Sequence, residues 1–333
     1  MNPYGCLLLG CISKTVFSTK PIPIPIRDFF FGSDRSISDR FVIISKKQNE
    51  THLYSLSKYK ETKKKCCLSK QISASFPGTY LCESSCMALQ FDAASKFMFL
   101  GDGGGNINLL RLNDAEAQFV TKLSAHTGSI TSLEWDCARQ MLFSASTDHL
   151  VIMWDIGGKK GQAFELNAHD AKLSCLAYAD GANRLFSADE NGTLVCWDMK
   201  AKRIETPEWK TSDNCQLCDA PFFWNIRAMW DRKVVGLRQH HCRTCGNAVC
   251  ANCCGNTTKY PPMGYERSVR ICNTCHWNME QHPERFDLTP LAVISELRQG
   301  VVCMHLQETL GRLVTVGLDR VIMIWDVKQL VGN

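Results

Sequence analysis

Eight cysteines fall in four Cys-x-x-Cys pairs, Cys215/Cys218, Cys242/Cys245, Cys250/Cys253 and Cys272/Cys275. Two sulfurs at this spacing can reach one ion from a tight turn, and tetrahedral zinc takes four ligands. Eight ligands therefore imply two zinc ions. In a cross-brace fold the first and third pairs share one ion and the second and fourth share the other. Such sites release about 10–16 kcal/mol in peptides, enough to decide the folding of a unit with little core. Cys254 is a spare thiol beside the cluster and reads as a bystander. Around the second pair the chain runs Arg238-Gln239-His240-His241-Cys242-Arg243-x-Cys245-Gly246, and Arg270 stands two residues before Cys272. A phosphomonoester needs several cationic donors at fixed angles, and Arg suits bidentate contact with it. Arg238, Arg243 and Arg270 can converge because zinc ties the second and fourth pairs together. No nucleophile–base pair and no metal site with an open position is apparent, so the chain reads as a binder and not an enzyme.

The frame that must position these groups is large. The chain has 333 residues and a mass of 37.5 kDa, about twice one domain. Its 21% charged and 45% hydrophobic residues give a globular balance and exclude wholesale disorder. No apolar run approaches the roughly 20 residues of a membrane span. The run Cys6–Ile12 is short and no basic segment precedes it, which argues against a secretory signal. A net charge of +5 is too mild to suggest nucleic acid as a partner. The 19 cysteines, odd in number and partly in Cys-x-x-Cys pairs, do not suit an extracellular disulfide framework and point to the reducing cytoplasm.

A repeat organises the rest. Ala125-His126 recurs 43 positions later as Ala168-His169, and Trp154-Asp155 recurs at the same offset as Trp197-Asp198. Between them, Leu142-Phe143-Ser144-Ala145 matches Leu185-Phe186-Ser187-Ala188. Short alternating runs broken by Asp, Gly and Asn are strands and turns. This period, ending in Trp-Asp, resembles the WD-repeat family, whose units form four-stranded blades of a β-propeller. The resemblance implies a buried network of His126, Asp148 and Trp154, with His126 and His169 as blade-core residues and not metal ligands. Asn191 occupies the Asp position in the next copy, so a weaker network is expected there. A third pair, Trp325-Asp326, closes another unit, and an earlier unit without the Trp spans about 82–112. Gly101–Gly105 sits at a blade turn and not in a phosphate-cradling loop. About 85 extra residues, carrying the cysteine cluster, separate the last two Trp-Asp pairs.

The expected fold is therefore mainly β: a WD-repeat propeller, apparently incomplete with four recognisable blades, carrying an inserted two-zinc cross-brace finger. Residues 1–80 stay unassigned, with Pro21–Ile26 extended and Lys63–Lys65 a solvated run. Residues 81–200 hold blades, 205–282 hold the finger inserted between blades, and 296–330 hold the final blade. Either the first residues hide degenerate blades, or the chain lacks blades that relatives possess, or partners complete the ring.

The Arg238–Gly246 block resembles the signature of the FYVE zinc finger. An aromatic–acid pair before the first Cys, Trp209 and Asp213, is one residue wider than is usual there, and Arg270 matches the third mark. With the flanking repeats, the arrangement resembles the WD repeat and FYVE domain-containing proteins. The resemblance implies recognition of phosphatidylinositol 3-phosphate. Arg243 and Arg270 would hold the 3-phosphate, Arg238 the diester phosphate, and His241 with Asp213 the inositol hydroxyls, while His240 shapes the pocket. Gln239 stands where the family has a second base, which removes one charge. Val234, Val235 and Leu237, beside Arg232 and Lys233, would enter the membrane. The implied role is an adaptor, peripheral on early endosomes, that binds proteins through its blades and gains avidity as a homo-oligomer. An aromatic insertion, Phe222–Trp230, either packs against the host or enlarges the inserting loop. Two rival readings are a RING-like ubiquitin ligase and a zinc-braced binder of small GTPases without lipid.

Overall fold

The computed structural model describes residues 29–32, 42–47, 50–55, 79–92, 94–112, 117–157 and 162–332. Pro21–Ile26 and Lys63–Lys65 lie outside the described residues.

The alternating runs fold into a succession of small antiparallel sheets. The first contains β1 (Phe29–Gly32), β2 (Val42–Lys47), β3 (Glu50–Ser55) and β4 (Thr79–Leu81), paired in that order. The second contains β5 (Cys86–Asp92), β6 (Phe97–Asp102), β7 (Asn106–Leu112) and β8 (Ala117–Ser124). The third contains β9 (Ile130–Asp136), β10 (Met141–Ser146), β11 (Val151–Asp155) and β12 (Gln162–Leu166). The first sheet arises from the segment left unassigned above. It was not legible because that segment repeats neither the His nor the Trp-Asp of the later units.

The fourth sheet begins with β13 (Leu173–Ala179), β14 (Arg184–Asp189) and β15 (Thr193–Asp198), and the chain then leaves it. It builds the finger from α1 (Ile226–Arg232), β16 (His240–His241), β17 (Ala248–Val249), β18 (Asn256–Tyr260), β19 (Tyr265–Ile271) and α2 (Asn273–Gln281). It then returns as β20 (Ala292–Glu296), which pairs with β15 so that Ala292 lies opposite Trp197. The insertion therefore falls inside one blade, between its third and fourth strands, and not between two blades. Sequence periodicity ran from His to Trp-Asp, which marks the third strand, and so could not see whose outer strand came next. A last sheet contains β21 (Val301–Gln307), β22 (Arg312–Gly317) and β23 (Ile322–Asp326), followed by α3 (Lys328–Val331).

The inner strands β1, β5, β9, β13 and β21 are neighbours in succession, so the sheets stack face to face. Strands between two sheets are buried on both faces, as in β10 and β14. Phe99, Trp135 and Trp154 fill the space between the second and third sheets, and Phe143, Tyr178 and Trp197 that between the third and fourth. Two hydrogen bonds pin these layers, from the Trp135 indole N–H to Asp92 at 3.2 Å and from the Tyr178 hydroxyl to Asp136 at 2.7 Å.

In the third and fourth sheets a buried polar chain ties the strands. His126 Nδ1 lies 2.9 Å from Asp148 and its Nε2 lies 2.8 Å from Ser144 Oγ, which accepts the Trp154 indole N–H at 2.9 Å. The next blade repeats this with His169, Ser187 and Trp197, and the network there is not weakened. Its acid is Asp189, 2.9 Å from His169 Nδ1, and not the residue at 191. The carboxylate has moved two residues earlier, to the end of β14, and still reaches the ring. Burial opposes ionisation of Asp189, but the hydrogen bonds from His169 and the Thr193 N–H outweigh it and hold the carboxyl below its ordinary value. A carboxyl depressed in the fold contributes stability above its unfolded pKa and loses it as pH falls through the folded one. The urea midpoint of the blades is therefore expected to drop below about pH 4, and Asp189→Ala to cost about 2–4 kcal/mol at pH 7 while flattening that acid limb. Urea titrations of both proteins at pH 7 and pH 3.5 check this; an unchanged acid limb in the variant would remove Asp189 from the account.

Candidate metal centres and basic face

The finger is fastened to its host before its ligands are placed. β19 starts against the end of β12: Asn167 N–H donates to Gly264 O at 2.7 Å, and Glu266 N–H returns to Asn167 O at 2.9 Å. The buried Tyr265 hydroxyl reaches Glu165 at 3.2 Å. The Arg267 Nε–H donates to Ala168 O at 2.6 Å, and the same guanidinium pairs with Asp170. Glu266 is buried and accepts the Leu291 N–H at 2.7 Å, which holds the returning segment to the finger. At Gly264, with φ +86°, an added Cβ would lie 2.2 Å from Glu165 O, so the close approach needs glycine. The strand clamped at this end carries Arg270 at the other.

The eight paired cysteines gather as expected from the cross-brace. Sγ atoms of Cys215, Cys218, Cys250 and Cys253 lie within 4.8 Å of one another, and so do those of Cys242, Cys245, Cys272 and Cys275. The Cys218–Cys250 and Cys245–Cys272 sulfurs are 3.7 and 3.9 Å apart. A tetrahedron with zinc–sulfur bonds of about 2.3 Å has edges of about 3.8 Å, so the donor sets fit two zinc ions. Backbone N–H groups of Cys250 and Cys272 donate to the sulfurs of Cys215 and Cys242 at 3.3 and 3.2 Å, supporting the thiolate form. Cys254 is buried outside both groups. Its carbonyl accepts from Arg270 Nη1 at 3.3 Å, and its thiol also meets the Arg270 guanidinium, although burial dominates and pushes the thiol up to about 11.

Zinc loops set the basic face. β16 pairs with β17, His240 opposite Val249 and His241 opposite Ala248. The Arg243 N–H donates to Arg270 O at 3.1 Å, so the loop of one cysteine pair is stitched to the strand leading into the other. Trp209 lies under both key groups: its ring stacks on His241 at 4.7 Å and 13°, and the Arg243 guanidinium carbon sits 4.6 Å from its centroid. His240 is held below the ordinary imidazole value by burial first, and then by the positive charges of Arg270 and Arg238. Arg238 is exposed at the start of this face. Asp213 is also exposed and accepts the Trp224 indole N–H at 3.0 Å.

Two contributors escaped the sequence reading. The Lys210 carbonyl lies 3.2 Å from His241 Nε2, a main-chain contact that no side-chain pattern reveals. Trp224 belongs to the aromatic insertion, yet its indole orients an acid of the site. The insertion itself divides: Phe222 is buried in the finger core, while Phe223, Trp224, Ile226 and Trp230 are exposed and none of α1 is buried. Val234 and Val235 are exposed, as an inserting tip requires. Leu237 departs from the expectation. It is partly buried against the finger core, its N–H bonded to Pro221 O at 2.9 Å, and so closes the base of the hairpin instead of standing at its tip.

Comparison with known proteins agrees with both halves. The FYVE zinc finger family matches residues 206–281, and the WD domain, G-beta repeat family matches residues 117–155 and 161–198. The chain is 61% identical over 253 residues to WD repeat and FYVE domain-containing protein 2 of Caenorhabditis briggsae, covering 76% of this chain and 60% of that one. It is 50% identical over 255 residues to the Homo sapiens protein of the same name, covering 77% of this chain and 63% of that one. The chain thus spans about three fifths of the length of these relatives. With WD blades, an inserted FYVE finger and two four-cysteine groups built for zinc, it belongs to the WD repeat and FYVE domain-containing proteins.

Proposed function

We propose that the finger binds the head group of phosphatidylinositol 3-phosphate and docks the chain, as a peripheral adaptor, on early endosomal membranes facing the cytoplasm. The blades then present surfaces to protein partners, and no step of chemistry is required of the chain. The observation that carries the reading is the Arg243–Arg270 juxtaposition, fixed by a backbone hydrogen bond between the segments of two cysteine pairs whose four sulfurs are placed to hold one ion. In this reading Arg243 and Arg270 grip the 3-phosphate, Arg238 meets the diester phosphate, and His241 and Asp213 take the inositol hydroxyls. His240, half-buried among these cations, shapes the pocket wall. Gln239 leaves the site one charge short of the fuller motif, so residence depends on insertion by Val234 and Val235 and on avidity in a homo-oligomer.

Co-sedimentation of the full chain with vesicles tests it. At matched surface charge, partition onto vesicles with the 3-phosphate lipid is expected to exceed that onto 4-phosphate or phosphatidylserine vesicles at least ~10-fold. Equal partition onto all three would contradict the reading.

A further inference from the structure

The structure assigns a second membrane anchor to the finger: the α1 hairpin, which we propose enters the interfacial zone of an anionic bilayer alongside the Val234–Val235 tip. The proposal takes its orientation from the lipid-binding reading above. It goes beyond the expected tip, because α1 is a separate element added before it.

The hairpin is a single body closed at its base. Phe222 and Leu237 form a bridge across it, and both turn into the finger core. Of the residues between them Gly236 alone is buried and most are exposed. α1 has its own supports: the Asn225 side chain accepts the Ala228 N–H at the start, and Lys233 closes the end in the left-handed region at φ 53°. Val234 N–H bonds back to Met229 O at 3.1 Å, and an added Cβ at Gly236 would lie 2.6 Å from Met229 Sδ. The helix and the returning tip are thus packed flush, and one cannot meet a surface without the other.

What this body presents is apolar where packing would have hidden it. Trp230 is 84% exposed, Val235 82% and Ile226 70%. Ile226 and Trp230, four apart, share one helix face. Phe223 and Trp224 extend the exposed set to the pocket, where the Trp224 indole holds Asp213. A contiguous exposed apolar patch of this kind marks an interaction surface. Its charges name the partner: residues 219–238 carry Arg227, Arg232, Lys233 and Arg238 against Asp219 and Asp231. Since those acids pair with Arg232 and Arg227, the surplus of two positive charges falls on Lys233 and Arg238, beside the tip. Basic groups around interfacial tryptophans suit an anionic lipid surface, with Trp at headgroup level and the long basic stems reaching outward. An acidic protein groove would satisfy the charges but would not explain why the patch is continuous with the edge of the head-group site.

The test uses the full chain and the double variant Ile226→Ser/Trp230→Ala, which removes only exposed side chains. Two quantities are read: affinity for soluble inositol 1,3-bisphosphate by calorimetry, and partition onto vesicles of phosphatidylcholine, phosphatidylserine and the 3-phosphate lipid. The expected result is an unchanged affinity for the soluble head group and at least ~10-fold weaker vesicle partition, from two lost apolar insertions. Vesicle partition within twofold of the parent overturns the anchor, whatever the head group does. If the parent ignores the soluble head group but its vesicle partition still falls ~10-fold in the variant, the anchor stands and the head-group reading fails.

Discussion

Chelating the metal is expected to unfold the finger outright while the blades persist. The finger core explains the size of the effect: the ligands Cys215, Cys242, Cys250 and Cys272 are themselves buried members of it, among Phe222, Tyr260, Tyr265 and Ile271. Removing the ions leaves eight thiols crowded in two clusters inside that same core, and among the described residues no second apolar cluster holds β16–β19 together. Zinc sites of this kind contribute on the order of 10 kcal/mol, more than a unit of this size can replace by packing. The layers between the blades persist because they are filled by Trp135, Trp154, Phe143 and Trp197, none of which belongs to the finger. Hydrogen exchange after chelation should show loss of protection across 215–275 and retained protection in β9–β15, and Cys242→Ser should lower metal content from two ions per chain. Protection of the finger that survives a metal-free preparation would contradict this.

Arg243→Ala is expected to weaken head-group binding about 100-fold with both ions retained. Two charge-assisted hydrogen bonds to one phosphate are together worth about 3 kcal/mol, which is that factor. The same change removes the cation over Trp209, so the His241 ring loses a partner in the stack that orients it. Arg243→Lys keeps the charge but not the fork, and should recover no more than about a tenth of the parent affinity. Metal analysis and calorimetry on one preparation separate lost binding from lost folding. Parent-like affinity in Arg243→Ala would detach the phosphate from this residue.

Much of this was legible in the chain because zinc and repeats write short-range signals. A Cys-x-x-Cys pair states its ligand geometry within four residues, and the pairing of first with third and second with fourth follows from the cross-brace. The blade repeat announced His126, Asp148 and Trp154 through their fixed spacing, while the bridging Ser144 hydroxyl emerged only in the structure. What escaped is set by main-chain geometry or by contacts distant in sequence. Asp189 replaced its expected counterpart because a carboxylate at the end of the second strand reaches the imidazole as well as one in the turn that follows it. The outer strand β20 joins β15 across more than ninety residues, so no periodicity could tie them. The first sheet pairs strands whose residues carry none of the repeat's marks. Leu237 was read as part of an apolar tip, but its pairing with Pro221 turns it inward, and exposure passes to α1, whose seven residues showed composition without direction.

The claim on which the account depends is that paired thiolates hold Arg243 and Arg270 where one phosphate can meet both. Calorimetric titration of the full, two-zinc chain with inositol 1,3-bisphosphate and with its 1,4 isomer addresses it most directly. One site per chain with at least ~10-fold preference for the 1,3 isomer is the expected outcome. Indistinguishable heats for the two isomers, from a protein shown to carry both ions, would contradict it.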